Sequence, residues 1–120
     1  MGIGIDVGKF GENQASRFLL GKGYRIIDRN YRKPWGELDI IAMAPNGTIV
    51  FVEVKTLTIG NSLEPEDHLT KAKLEKLQRT CRKYVAEKPR LIREDRGWRI
   101  DLVALTISDK SCNIRHYENI

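Results

Sequence analysis

Five ionisable side chains in this 120-residue chain interrupt otherwise apolar patterns: Glu12, Asp39, Glu53, Lys55 and Lys73. Three of them fall within residues 36–55, GELDIIAMAPNGTIVFVEVK, which read as two strands joined by a tight turn. Charged groups are seldom left on a core-facing surface unless they are paired or hold a metal. Strict alternation puts Glu37, Asp39, Ile41 and Met43 on one face of the first strand, with Leu38, Ile40 and Ala42 on the other. In the second strand Ile49, Phe51, Glu53 and Lys55 oppose Val50, Val52 and Val54. Pro45-Asn46-Gly47 signals a three-residue loop with glycine at the left-handed position. Pairing Ala44 with Thr48 then sets Asp39 across from Glu53 and Glu37 across from Lys55. Carboxylates facing each other with Cβ atoms about 4.5–5.5 Å apart repel, so the pair invites a cation. A hard divalent ion with oxygen ligands, Mg²⁺ or Mn²⁺, suits it.

The remaining elements must bring Glu12 and Lys73 to the same place. Residues 9–22 have helical periodicity, with Ala15, Phe18 and Leu19 as the apolar stripe and Gly21 and Gly23 as the stop. Glu12 projects from the buried side of that helix; it is either a first-turn glutamate favoured by the helix dipole or a member of the site. Residues 24–31 read as a strand. Arg29, Asn30, Arg32, Lys33, Pro34 and Trp35 follow as a basic, aromatic-bearing connection. Arg32 and Lys33 there suit phosphates and Trp35 suits a base, with an ordinary solvated turn as the alternative. A second helix is expected from about Pro65 to Glu87, with Leu69, Leu77, Cys81 and Tyr84 as its stripe. Lys73 lies within that stripe and either snorkels to the surface or points toward the acids. Strands are expected over 98–107 and 112–117. Asp101 shares a face with Arg99 and Val103 and reads as a structural ion-pair partner.

The pattern predicts one domain spanning residues 1–120, with 1–8 frayed and 56–68 a mobile loop in which His68 is exposed. Helix, three strands, helix and one or two further strands make an α/β sandwich, a central mixed sheet flanked by helices. Hydrophobic residues make up 41% and charged residues 31% of the chain, which is ordinary for a globular domain. No apolar run approaches the roughly 20 residues of a membrane span. The opening residues carry no basic leader followed by an apolar run, so no membrane partner and a cytoplasmic location are expected. The cysteines, Cys81 and Cys112, show no metal-site spacing and are expected as reduced, half-buried thiols. A net charge of +5 favours a polyanionic partner such as nucleic acid.

Asp39, followed fourteen residues on by Glu53-Val54-Lys55, resembles the motif of the PD-(D/E)xK nucleases, with Leu38 where that superfamily often has proline. Gly11-Glu12, Asn30, Gly36-Glu37-Leu38-Asp39, Phe51-Val52-Glu53-Val54-Lys55, Lys73 and Asp101 together resemble the pattern of the YraN-like family of small bacterial predicted endonucleases, and the likeness runs from Phe10 onward. Thr56-Leu57 departs from it where an arginine is frequent. The resemblance implies a restriction-endonuclease-like three-layer sandwich of order αβββαβ, related to Holliday-junction resolvases. It implies a Mg²⁺-dependent DNA endonuclease that hydrolyses phosphodiesters, with selectivity for branched or otherwise structured DNA as one form. The alternative is a catalytically inactive nucleic-acid-binding or adaptor protein on the same fold. On this resemblance Asp39, Glu53 and the Val54 carbonyl hold the metal, and Glu12 completes or orients that set. Lys55 positions the attacking water or steadies phosphate charge, Lys73 holds a neighbouring phosphate, and a homodimer is an expected form.

Overall fold

A computed structural model describes residues 6–58 and 69–120. Its elements, in chain order, are α1 (Val7–Gly21), β1 (Arg25–Lys33), β2 (Gly36–Met43), β3 (Ile49–Thr58), α2 (Lys71–Glu87), β4 (Trp98–Ile107) and β5 (Cys112–Tyr117). A short 3₁₀ turn, Pro89–Leu91, follows α2. The five strands form one sheet in the order β1-β2-β3-β4-β5. All neighbours are antiparallel except β3 and β4, which run parallel. A parallel pair needs a long crossover, and α2 lies within this one.

The two helices cover opposite faces. Ala15 and Leu19 of α1 pack with Ile40, Ala42, Val50, Val52, Val103 and Leu105. Leu77, Cys81 and Tyr84 of α2 pack with Tyr31, Ile41, Ile49, Phe51 and Ile100. The expected three-layer α/β sandwich with a mixed central sheet is the observed architecture.

Several boundaries differ from the sequence reading. The first helix starts at Val7, because the Asp6 carboxylate caps it by accepting the Lys9 N–H at 3.1 Å; residues 6–8 are therefore ordered into the cap and first turn. Strand β3 continues through Thr58, since its parallel ladder with β4 runs on to Thr58↔Ile107, so residues 56–58 belong to the sheet. The rest of the expected loop (59–68), His68 and the expected helix start at Pro65 lie outside the described residues. Helix α2 begins at Lys71, where the Thr70 hydroxyl caps the Lys73 N–H at 3.2 Å. Arg29, Asn30, Arg32 and Lys33 lie within β1, which leaves Pro34 and Trp35 as the turn. Cys81 is buried as a free thiol, whereas Cys112, at the start of edge strand β5, is exposed.

Candidate active site

The β2–β3 turn forms as the loop signal demands. The Ala44 N–H donates to Thr48 O at 2.8 Å, the Gly47 N–H donates to Ala44 O at 2.9 Å, and the Asn46 side chain accepts the Thr48 N–H at 3.0 Å. Gly47 has φ +93, the left-handed conformation that glycine adopts without strain. The ladder runs from Met43↔Ile49 to Ile40↔Val52, and the next step sets Asp39 against Glu53.

There the two strands part. Asp39 Oδ2 accepts the Val54 N–H at 2.9 Å, taking the place of the backbone acceptor that a continuing ladder would supply. Beyond it β2 keeps only its other neighbour, β1, with Leu38 opposite Tyr31, Glu37 opposite Arg32 and Gly36 opposite Lys33. The strict alternation expected for β2 breaks at this point: Leu38 joins the α2-side cluster with Ile41, while Ile40 and Ala42 face α1. Asn30, in β1, has φ +56. The expected pairing of Glu37 with Lys55 gives way to a 2.9 Å ion pair between Glu37 and Arg32 Nε. A two-residue turn at Pro34-Trp35 predicts that pairing, and it was the signal available in the sequence.

The parting opens an acidic cleft. Glu53 and Asp39 share a side-chain hydrogen bond, and Glu53 is pushed up to about 8. Burial is the largest cause, followed by the hydrogen bond and charge of Asp39; Lys55 pulls the other way and Glu37 adds to the rise. The rise disfavours a second negative charge beside Asp39 at neutral pH. Antiparallel partners exchange both their N–H and C=O groups with the same neighbour. The Ala44–Thr48 bond fixes this phase, so the Val54 carbonyl, like its N–H, is directed into the gap beside Asp39.

Glu12 reaches the same region from α1. Gly11 seats that helix closely, because a Cβ there would run into the Thr56 side chain. The Glu12 side chain is 15% exposed, with Arg29 and Arg32 guanidinium nitrogens each 3.9 Å away. Its carboxyl is raised by burial first and the Asp39 charge second, against the lowering effect of both arginines and Asn30. Arg32 Nη1 also lies 4.0 Å from Asp39 Oδ1, so this guanidinium stands among Glu12, Glu37 and Asp39. Sequence reasoning offered Arg32 as a phosphate contact; its place among three acids comes from the strand register.

Two cavities flank the cleft. One, about 210 Å³, is lined on the α2 side by Glu37, Glu53, Lys55, Lys73 and Lys76, with Gly36 and Thr80 at its wall. The other, about 530 Å³, lies on the α1 side and includes Lys9, Glu12, Asn13, Arg29, Asn30 and Arg32. Lys55 and Lys73 thus face a common space with Glu53, while Lys33 and Trp35 stand at the adjoining β1–β2 turn. Among the described residues no three His, Cys, Asp or Glu side chains gather into a complete metal cage. The donor set still fits a hard cation: Mg²⁺ is commonly held by one or two carboxylates with waters completing the shell. Here two facing carboxyl groups, which give up a proton on binding, and a neighbouring backbone carbonyl offer those oxygens.

Asp101, opposite Val52 in the β3–β4 ladder, spends its carboxylate on other partners. It is fully buried, receives the Arg99 fork at 2.9 and 3.2 Å, and accepts the Asn119 N–H at 3.0 Å. His116 Nε2 lies 2.7 Å from its other oxygen. Burial pushes its carboxyl up, but the hydrogen bonds from His116, Arg99 and Asn119 prevail and the net shift is downward. It is the structural ion-pair partner that its strand face predicted.

Residues 11–105 match the Uncharacterised protein family UPF0102. A UPF0102 protein of Alkaliphilus oremlandii is 39% identical over 113 residues, covering 94% of this chain and 95% of that one. One from Sulfurihydrogenibium is 39% identical over 112 residues, covering 93% and 90%. Among solved structures, a protein of unknown function from Silicibacter pomeroyi is similar at 15% identity and a TM-score of 0.43, over 98% of this chain and 77% of that one.

Proposed function

The chain belongs to the UPF0102 family, as the YraN-like resemblance implied, and from its cleft we infer a metal-dependent endonuclease of the PD-(D/E)xK type that hydrolyses DNA phosphodiesters. One observation carries the reading: where β2 leaves β3, Asp39, fixed by the Val54 N–H, stands across from Glu53, and Lys55 lines the same cavity as Glu53. Such a pair relaxes when a divalent cation replaces the proton.

Asp39, Glu53 and the Val54 carbonyl would hold Mg²⁺ or Mn²⁺. The ion, when bound, polarises the scissile phosphate and lowers the pKa of a bound water. Asp39 is fixed for this work by the Val54 N–H and by Arg32. Glu12, between Arg29 and Arg32, supplies further negative charge beside Asp39. The Lys55 ammonium sits where it can hold the attacking water or neutralise charge growing on phosphate oxygens. Lys73, across the cavity, suits a neighbouring phosphate.

Incubation with flap, junction, single-stranded and duplex DNA in Mg²⁺ or Mn²⁺ tests the reading. The expected result is cleavage that disappears in Asp39→Ala and Glu53→Ala and falls at least a hundred-fold in Lys55→Ala. Cleavage that survives both acid substitutions would overturn it. DNA binding without any cleavage, indifferent to Asp39→Ala, would select the inactive binding or adaptor protein instead.

A further inference from the structure

Trp35 is a large exposed aromatic, 41% accessible, at the turn between β1 and β2. It follows Tyr31 across the β1–β2 turn, and the Tyr31 hydroxyl donates to Glu87 Oε1 of α2 at 2.6 Å. Lys83 Nζ lies over the indole, 4.9 Å from its centroid. Lys33 Nζ lies 5.5 Å from the Tyr31 ring centroid. The indole is thus partly open, with one ammonium group over its ring and a second over the neighbouring Tyr31 ring.

This platform is continuous with the acidic cleft. Gly36, the next residue, lines the Glu53–Lys55 cavity and packs so tightly on Thr80 of α2 that a Cβ would strike its hydroxyl. Lys73, Lys76 and Thr80 line that cavity, and Lys83, one turn further along the helix, reaches the indole. At 1.5 Å per residue the helix carries this basic edge about 15 Å from Lys73 to Lys83. That is about four steps of a stacked B-form strand, and fewer if the strand is extended.

We propose that Trp35 is a stacking subsite for an unpaired nucleobase of the bound strand, a few nucleotides from the cleaved bond, with the α2 lysines tracking the backbone between. In a continuous duplex each base is covered by its neighbours, so an indole fixed at this point selects DNA with an unpaired base: single strands, flaps and junction arms. Stacking is sequence-tolerant because every base presents a π-face. This deepens the nuclease reading and rests on it for the position of the cleaved bond.

Binding in metal-free buffer tests the subsite apart from cleavage. In a Trp98→Phe background Trp35 is the sole indole of the chain. A short oligothymidylate is expected to quench its fluorescence, while the same backbone with abasic residues and a blunt duplex leave it nearly unchanged. Trp35→Ala should weaken oligothymidylate binding roughly five- to a hundred-fold without changing the salt slope, and Trp35→Phe should restore most of the affinity. Lys83→Ala should lower the salt slope by about one. Equal affinity of wild type and Trp35→Ala for the single strand, with circular dichroism unchanged, would overturn the subsite. So would quenching that the abasic backbone reproduces. Cleavage unaffected by Trp35→Ala together with unaltered binding removes the subsite alone. Trp35-dependent binding without metal-dependent cleavage removes the nuclease reading alone.

Discussion

Glu53 holds a proton that an open carboxylate would have released, because burial and the neighbouring Asp39 both disfavour a second negative charge. The sign of the pH effect follows. Its folded pKa of about 8 exceeds the ordinary value of 4.5, so between these limits the folded chain binds more protons than the unfolded one. The stability this contributes is complete below pH 4.5 and drains away as pH rises toward 8. Thermal melts of the metal-free protein should therefore fall across that window, and Glu53→Gln should flatten the profile. A profile identical in wild type and variant would contradict the shared proton. Tyr84 is a second residue whose state is set by burial, which pushes its hydroxyl up to about 12. That hydroxyl is buried with no hydrogen-bond partner among the described residues, while the ring packs edge-on against Tyr31 and Phe51. Tyr84→Phe keeps the ring contacts and removes an unsatisfied group. It should be neutral or stabilise by up to about 1 kcal/mol in denaturant melts; a loss of that size would reveal a partner for the hydroxyl.

At the scale of elements, the site exists because β2 parts from β3 while it stays paired with β1. Loop length and alternation were enough to place Asp39 across from Glu53, since Ala44 pairs with Thr48 as the Pro45-Asn46-Gly47 turn requires. They were not enough to show where the ladder stops. Periodicity assumes that the strand continues, whereas a carboxylate that takes the Val54 N–H ends it. The position of Leu38 follows from that break and was illegible for the same reason, whereas the Arg32–Glu37 pair could have been read from the two-residue Pro34-Trp35 turn. Helix α2 holds the other wall of the cleft through the contact of Gly36 with Thr80. Gly36→Val should force the strand and helix apart. It should cost about 1–3 kcal/mol and lower cleavage and DNA binding together, with the loss of stability read by denaturant melts. On the neighbouring strand β4, replacing buried Asp101 by Ala takes a shared carboxylate from half-buried Arg99, which keeps Glu118, and from buried His116. A loss of about 3–5 kcal/mol is expected, because the donors of Arg99, His116 and Asn119 lose the buried carboxylate that they meet. The lowered carboxyl of Asp101 also means that its contribution fades as pH falls below the ordinary carboxylate range, opposite in direction to Glu53.

For the molecule as a whole, the layer order was readable because each helix has one apolar stripe and each central strand is apolar on both sides. Two helices on opposite faces of a mixed sheet satisfy both demands. Cap residues were less visible: Asp6 and Thr70 set the true helix starts through single hydrogen bonds, which composition windows do not register. Among the described residues no helix is long and apolar enough to cross a membrane. The net charge of +5 is spread so that lysines of α2 border an acidic cleft, an arrangement suited to gripping a polyanion while concentrating a cation. The most direct test of that arrangement is calorimetric titration of Mg²⁺ at pH 7, in two buffers of different ionisation heat. The cleft described here predicts binding of one ion to wild type with release of close to one proton from the Asp39–Glu53 pair, and neither signal in Asp39→Asn. Wild-type protein that binds no divalent ion at millimolar Mg²⁺ or Mn²⁺, or binds it equally well after Asp39→Asn, would contradict the account.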